Sequence, residues 1–160
     1  MYNDDQINTV PRKQVAVIGA SDASALEMSY AQEVGHLLAQ NGASLLSGGM
    51  GGIMEASCKS AYQSGGITIG IVPGEKGNSY LSVLIKTRMD QARNVILVGS
   101  SDGVIAIGGG YGTLSEISYA LKRKIPVYGL STWNIPGIIS CNSPKEAVML
   151  AIKNDAGNLK

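Results

Sequence analysis

The sequence predicts an α/β fold: a single domain built on a doubly wound parallel sheet of about six or seven strands, with helices on both faces. Three observations carry this. Short β-rich runs alternate with helical patterns from residue 14 onward, the signature of βαβ units and a parallel sheet. The 21 glycines gather at the ends of the apolar runs, where tight strand-to-helix turns belong. No linker or internal repeat divides the 160 residues, which is the length of one ordinary domain with a substantial core.

Taken in order, residues 1–12 read as a short flexible tail ending near Pro11, and 13–160 as the domain. The tail carries acidic residues and no apolar core, so no secretory signal is expected. Gln14–Ile18 (QVAVI) is the first strand, followed by GASDAS and a helix over Ala25–Asn41. Ala43–Leu46 leads into SGGMGG and a helix over about Ile53–Gln63. Thr68–Val72 (TIGIV) stops at Pro73-Gly74, and a weaker strand lies near Leu81–Lys86. A helix over about Asp90–Ser100 precedes the strand Gly103–Ile107 (GVIAI). After GGGYGT come a helix over about Leu114–Lys122 and a strand over Val127–Leu130. Ser143–Asn154 forms the last helix, opened by a Ser-Pro pair suited to N-cap and N1. Right-handed crossovers put every βα loop on one edge of such a sheet, and ligands bind there, at the carboxyl ends of the strands.

Composition excludes several classes of function. A net charge of +1 with 16% charged residues makes no electrostatic case for nucleic acid or an anionic membrane. No apolar run approaches the roughly 20 residues that span a bilayer. Cys58 and Cys141 make neither a disulfide framework nor a metal site, and reduced thiols in a cytoplasmic protein are expected. The single histidine, His36, lies in the helical stretch EMSYAQEVGHLLAQNG, where a surface or interface position is expected. Without a second histidine, a zinc site or a Ser-His-Asp triad has no basis, and no protein-ligated metal is expected.

Three glycine loops lie between a strand and a helix: Gly19-Ala20-Ser21-Asp22, Ser47-Gly48-Gly49-Met50-Gly51-Gly52 and Gly108-Gly109-Gly110-Tyr111-Gly112-Thr113. Glycine lets backbone approach a ligand closely, and free N–H groups at a helix start attract anions. Their shared edge points to a phosphorylated ligand. The familiar nucleotide motifs are absent. There is no G-x-x-x-x-G-K-[ST], and neither the first nor the third loop reads G-x-G-x-x-G. The second strand ends in Ser47-Gly48, with no carboxylate for a ribose, which argues against NAD.

Two charged residues bear on the third loop. Thr113-Leu-Ser-Glu116 matches a capping box, with Thr113 as N-cap and Glu116 at N3. That position also lies at the loop mouth, where a carboxylate could act on a ligand. Arg93 is expected in the first turn of its helix, where a cation opposes the helix dipole. A phosphate or Glu116 would give it a partner.

The segments "ARN" and "SSDGVIAIGGGYGTLSE" resemble the lonely-guy-like Rossmann superfamily, also called lysine-decarboxylase-like or SLOG. Its enzymes carry P-G-G-x-G-T-x-x-E with an upstream arginine and are cytokinin riboside monophosphate phosphoribohydrolases. The resemblance runs from QVAVIGAS through SGGMGGIMEA to the end of the chain and puts Arg93 and Glu116 on the family's functional positions. Gly108 replaces the motif proline. The enzymes' Met-His-x-Arg-Lys becomes Asp90-Gln-Ala-Arg93-Asn94, without histidine or lysine. The run from Gly48 to Ala56 and the Ala-Arg93-Asn94 stretch are similar to the small branch that includes the molybdenum cofactor carrier proteins. That branch implies storage and protection of the bound pterin-phosphate cofactor (molybdopterin), a homo-oligomer (dimer or tetramer), and a molybdoenzyme or a cofactor-synthesis protein as partner.

Two functions follow. In a carrier, Gly108–Thr113 cradles the phosphate or oxo-anion, Gly48–Gly52 admits the flat pterin, and Arg93 neutralises charge. In a hydrolase, Arg93 holds the phosphate or ribose of a nucleoside monophosphate, and Glu116 stabilises the oxocarbenium-like state or activates water. The missing histidine and lysine favour the carrier. Trp133 either lines the cleft or packs beneath a loop. Lys122-Arg123-Lys124 sits at a helix C-terminus, where cations suit the dipole.

Overall fold

The structure, a computed structural model, describes residues 11–153. Seven parallel strands form one sheet, β1 (Gln14–Gly19), β2 (Ser44–Ser47), β3 (Ile67–Val72), β4 (Val83–Lys86), β5 (Gly103–Ile107), β6 (Val127–Leu130) and β7 (Ile138–Ser140), in the order β4-β3-β2-β1-β5-β6-β7. The helices are α1 (Ala25–Gln40), α2 (Ile53–Gln63), α3 (Arg93–Gly99), α4 (Tyr111–Lys122) and α5 (Pro144–Lys153), and a 3-10 turn over Asp90–Ala92 leads into α3. Val15 pairs with both Leu45 and Gly103, so β1 sits mid-sheet and the chain winds outward in both directions from it. The crevice between the β1 and β5 loops is the switch point at which such sheets bind ligands.

Strands buried on both faces are apolar on both faces, and QVAVIG shows it. Val15 and Val17 join the core under α1, α2 and α5, while Ala16 and Ile18 join the core under α3 and α4. Helices α1 and α2 meet at Gly35, where a Cβ would stand 2.1 Å from the Ser57 carbonyl oxygen. His36, on the same helix, is exposed and hydrogen-bonds Ser64 Oγ at 2.8 Å. The thiols of Cys58 and Cys141 are free and buried, and burial pushes Cys58 up to about 11. Among the described residues no helix is long and apolar enough to cross a membrane.

The structure departs from the expected elements in four places. Helix α4 starts at Tyr111 rather than near Leu114, because the extended Gly110 lets the helix begin directly after the glycines. The capping box assigned to Thr113 and Glu116 is therefore absent, and Gly110 stands at the N-cap with no side-chain cap. A capping box does open α1: Ser24 Oγ accepts from Glu27 N at 3.2 Å, and Ser24 N donates to Glu27 Oε2 at 2.7 Å. The strand β7 is short and lies at the sheet edge, and the turn-like sequence around it concealed it. Of the expected tail, residues 1–10 lie outside the described residues. Arg12 already belongs to the fold, its Nη1 donating to the Gly42 carbonyl at 3.3 Å.

Candidate functional site

The loops after β1, β2, β3 and β5 converge with the start of α3 on a cleft of about 410 Å³, within the size range of small-molecule sites. Of the residues singled out from sequence, Gly19, Ala20, Ser21, Met50, Arg93, Gly110, Gly112, Thr113 and Glu116 line it. Gly48, Gly49, Gly51, Gly108, Gly109 and Tyr111 do not.

The β2–α2 loop is held from below. Ser47 Oγ accepts from Gly49 N at 3.0 Å and contacts Cys58 Sγ at 3.2 Å. Asn78 N donates to the Gly49 carbonyl at 2.7 Å and Asn78 Nδ2 to the Met50 carbonyl at 3.0 Å, so the β3–β4 segment straps the loop from outside. Gly51 faces a neighbouring groove with Met50 and Asn78. A Cβ on Gly48 would meet Arg93 Nη2 at 2.7 Å, so glycine here makes room for the guanidinium.

The β5–α4 loop is braced from β6. Gly108 N donates to the Leu130 carbonyl at 3.0 Å, and Thr132 Oγ1 donates to the Gly108 carbonyl at 2.6 Å. Gly108 has φ +52°, with Glu27 filling the space of a Cβ. A proline there, locked near −65°, cannot adopt this turn, so the loss of the motif proline matches the local backbone. Gly109 packs on the side chain of Thr113. At Gly110 and Gly112 a Cβ would meet nothing within 4 Å; packing does not require glycine at either. The first N–H groups of a helix lack helical partners, and no side chain caps those of α4.

Arg93 is the first residue of α3 and only 5% exposed. Its Nη1 donates to Asn94 Oδ1, and its Nη2 to the Gly48 carbonyl at 3.4 Å. Its Nε is buried with no hydrogen-bond partner. Burial lowers its pKa, with the Glu116 carboxylate pulling the other way. Glu116 lies well inside α4 and is 8% exposed. Burial raises its carboxyl to about 7, opposed by the positive charge of Arg93. The cleft thus pairs a buried cation with a carboxyl that exchanges its proton near neutral pH, beside an uncapped helix start. That combination can hold an anion and move a proton next to it.

Sequence reasoning missed Met54, Pro73, Gln91 and Asn94, which also line the cleft. Pro73 was findable, since it ends a strand on the ligand edge. Gln91 and Asn94 flank Arg93. Among the described residues no group of three or more His, Cys, Asp or Glu could hold a metal ion.

Known proteins resemble this chain over most of its length. A curated protein of Archaeoglobus fulgidus, described only as uncharacterized, is 43% identical over 144 residues, covering 88% of this chain and 95% of the relative. The molybdenum cofactor binding protein of Rippkaea orientalis superposes with a TM-score of 0.84 at 32% identity, covering 89% of this chain and 96% of that one. The Moco carrier protein of Chlamydomonas reinhardtii gives 0.81 at 29% identity, covering 88% and 95%. The model of the SLOG cluster4 family matches residues 12–158, and the chain belongs to that family.

Proposed function

We propose that this protein binds an anionic, phosphorylated cofactor, with the molybdenum cofactor as the first candidate, and that it stores and protects it. The observation that carries this is the buried Arg93, its Nε without a partner, beside the uncapped start of α4. A buried polar group without a partner is costly, and a ligand oxygen at the loop offers the guanidinium and the α4 N–H groups a common acceptor. The likeness to the Rippkaea and Chlamydomonas proteins, named as binding or carrying that cofactor, supports the choice.

In this reading the α4 N–H groups and Arg93 take the phosphate, while Met50 and Met54 offer apolar, polarisable walls to a flat ring system. The ligand would supply its own metal chemistry; this chain supplies binding, charge balance and exclusion of water. Anaerobic titration of the purified protein with molybdopterin cofactor should give saturable binding and a slower loss of cofactor activity in air. Absence of both effects overturns the reading.

A second reading has one observation of its own. Burial raises the Glu116 carboxyl to about 7 in the same cleft as Arg93, so it can take or give a proton near neutral pH, which suits acid–base work on a glycosidic bond. It predicts release of free base from nucleoside 5'-monophosphates, abolished in Glu116→Gln. No release from any nucleotide tested sinks it. On either reading we infer a homo-oligomer, dimer or tetramer, which light scattering of the full chain tests.

A further inference from the structure

Beside the cleft stands an aromatic pair that neither reading uses. Tyr111, the first residue of α4, is 84% exposed. Its ring partner is Trp133, with centroids 6.2 Å apart and planes inclined by 33°. The indole is tethered: Trp133 Nε1 donates to the Gly110 carbonyl at 3.3 Å. Thr132, next in the chain, fastens to the Gly108 carbonyl. The pair is therefore anchored to the glycine loop that lines the cleft with Gly110 and Gly112. Behind Trp133 lies a second cavity of about 160 Å³, lined among others by Ser131, Thr132, Asn134 and Ser140.

Folding gives no reason for this tyrosine. It buries almost nothing, and leaving a large ring in water forgoes the stabilisation that burial brings. Trp133 is half-buried against the core under α3 and α4, so it backs the open ring of Tyr111. A planar heteroaromatic group can stack on such a ring, while the hydroxyl and amide side chains of the adjoining cavity can meet the polar edge of a base. Only the loop around Gly110 separates this shelf from the cleft. A diphosphate lying on the loop can therefore carry one group into the cleft and another onto the shelf.

We propose that Tyr111 and Trp133 form a stacking site for a nucleobase, borne on the phosphate that the Gly110–Thr113 loop holds. The ligand is then two-lobed, with one group beside Arg93, a diphosphate on the loop and a nucleoside outside. This rests on the anion-binding reading above and extends it to the class of ligand.

Trp133 is the only tryptophan, so its fluorescence reports on the shelf alone. The full chain is titrated with GDP and with inorganic pyrophosphate, following both fluorescence and heat. GDP should quench Trp133 saturably and bind about tenfold tighter than pyrophosphate, the effect of one stacked base. Tyr111→Ala keeps every backbone N–H of the loop and should erase the margin of GDP over pyrophosphate, and Tyr111→Phe should keep it. The exposure of Tyr111 makes both variants safe for folding. If pyrophosphate binds but GDP binds no tighter, or if the margin survives Tyr111→Ala, the shelf is overturned while the anion site stands. If neither probe binds, the anion site itself is wrong and the shelf falls with it.

Discussion

Glu116→Gln tests the electrostatics of the cleft without any ligand. The change keeps the shape of the side chain and removes its proton exchange. In the folded protein burial raises the Glu116 carboxyl from 4.5 to about 7, against the pull of Arg93. Below about pH 4.5 the group is protonated in both states and costs nothing. As the pH rises toward 7 the unfolded chain releases its proton while the folded one keeps it, so stability falls; above 7 the penalty is complete. At about 1.36 kcal/mol per unit, the raised value corresponds to a loss of about 3 kcal/mol. Glutamine carries no such penalty. Urea unfolding at pH 5, where part of the penalty is already present, and at pH 8.5 should therefore show the wild type losing about 2.5 kcal/mol relative to Glu116→Gln over that interval, with the variant the more stable at pH 8.5. Parallel pH profiles for the two proteins would refute the claim that Glu116 is buried as a neutral acid.

Other predictions separate the roles of neighbouring residues. Arg93→Gln should weaken pyrophosphate binding about tenfold or more, as loss of a charged hydrogen bond does. By removing the cation that lowers the Glu116 pKa, it should also move that titration to higher pH, read as an upward shift of the stability transition. Gly112→Ala places a methyl in open space and should leave folding unchanged or strengthen it by up to about 1 kcal/mol, while pyrophosphate affinity falls; unchanged affinity would show that no ligand approaches this backbone. Gly52→Ala forces a side chain at φ +63° to within 2.4 Å of the Ala20 and Ser21 carbonyl oxygens and should cost about 2–4 kcal/mol in thermal or urea unfolding. Cys58, buried and held up to about 11, should resist a thiol reagent at pH 8 until the chain is unfolded.

The order of elements was legible because it rests on local patterns. QVAVI and GVIAI are apolar runs of strand length bounded by glycine, and their alternation with amphipathic stretches dictates a doubly wound sheet before any contact is known. The capping motif misled for an equally local reason. Thr113-Leu-Ser-Glu116 and Ser24-Ala-Leu-Glu27 both fit the box, but only a chain that enters its helix at the serine or threonine can use it. Gly110, extended and free to turn, starts α4 earlier and rotates Glu116 inward. The three residues of β7 are too few to show a period.

The sequence by itself determined the fold class, the edge of the sheet at which a ligand belongs, and Arg93 and Glu116 as the charges to watch, because glycine placement and hydrophobic period act through neighbours along the chain. Only the tertiary structure decided what those charges are. The removal of water around α3 and α4 leaves Arg93 with an unpartnered Nε and holds the Glu116 carboxyl near neutrality. Tethering of Trp133 to the Gly110 carbonyl sets the aromatic pair beside the loop. Desolvation and long-range contact depend on what folds over a residue, and no spacing along the chain encodes that.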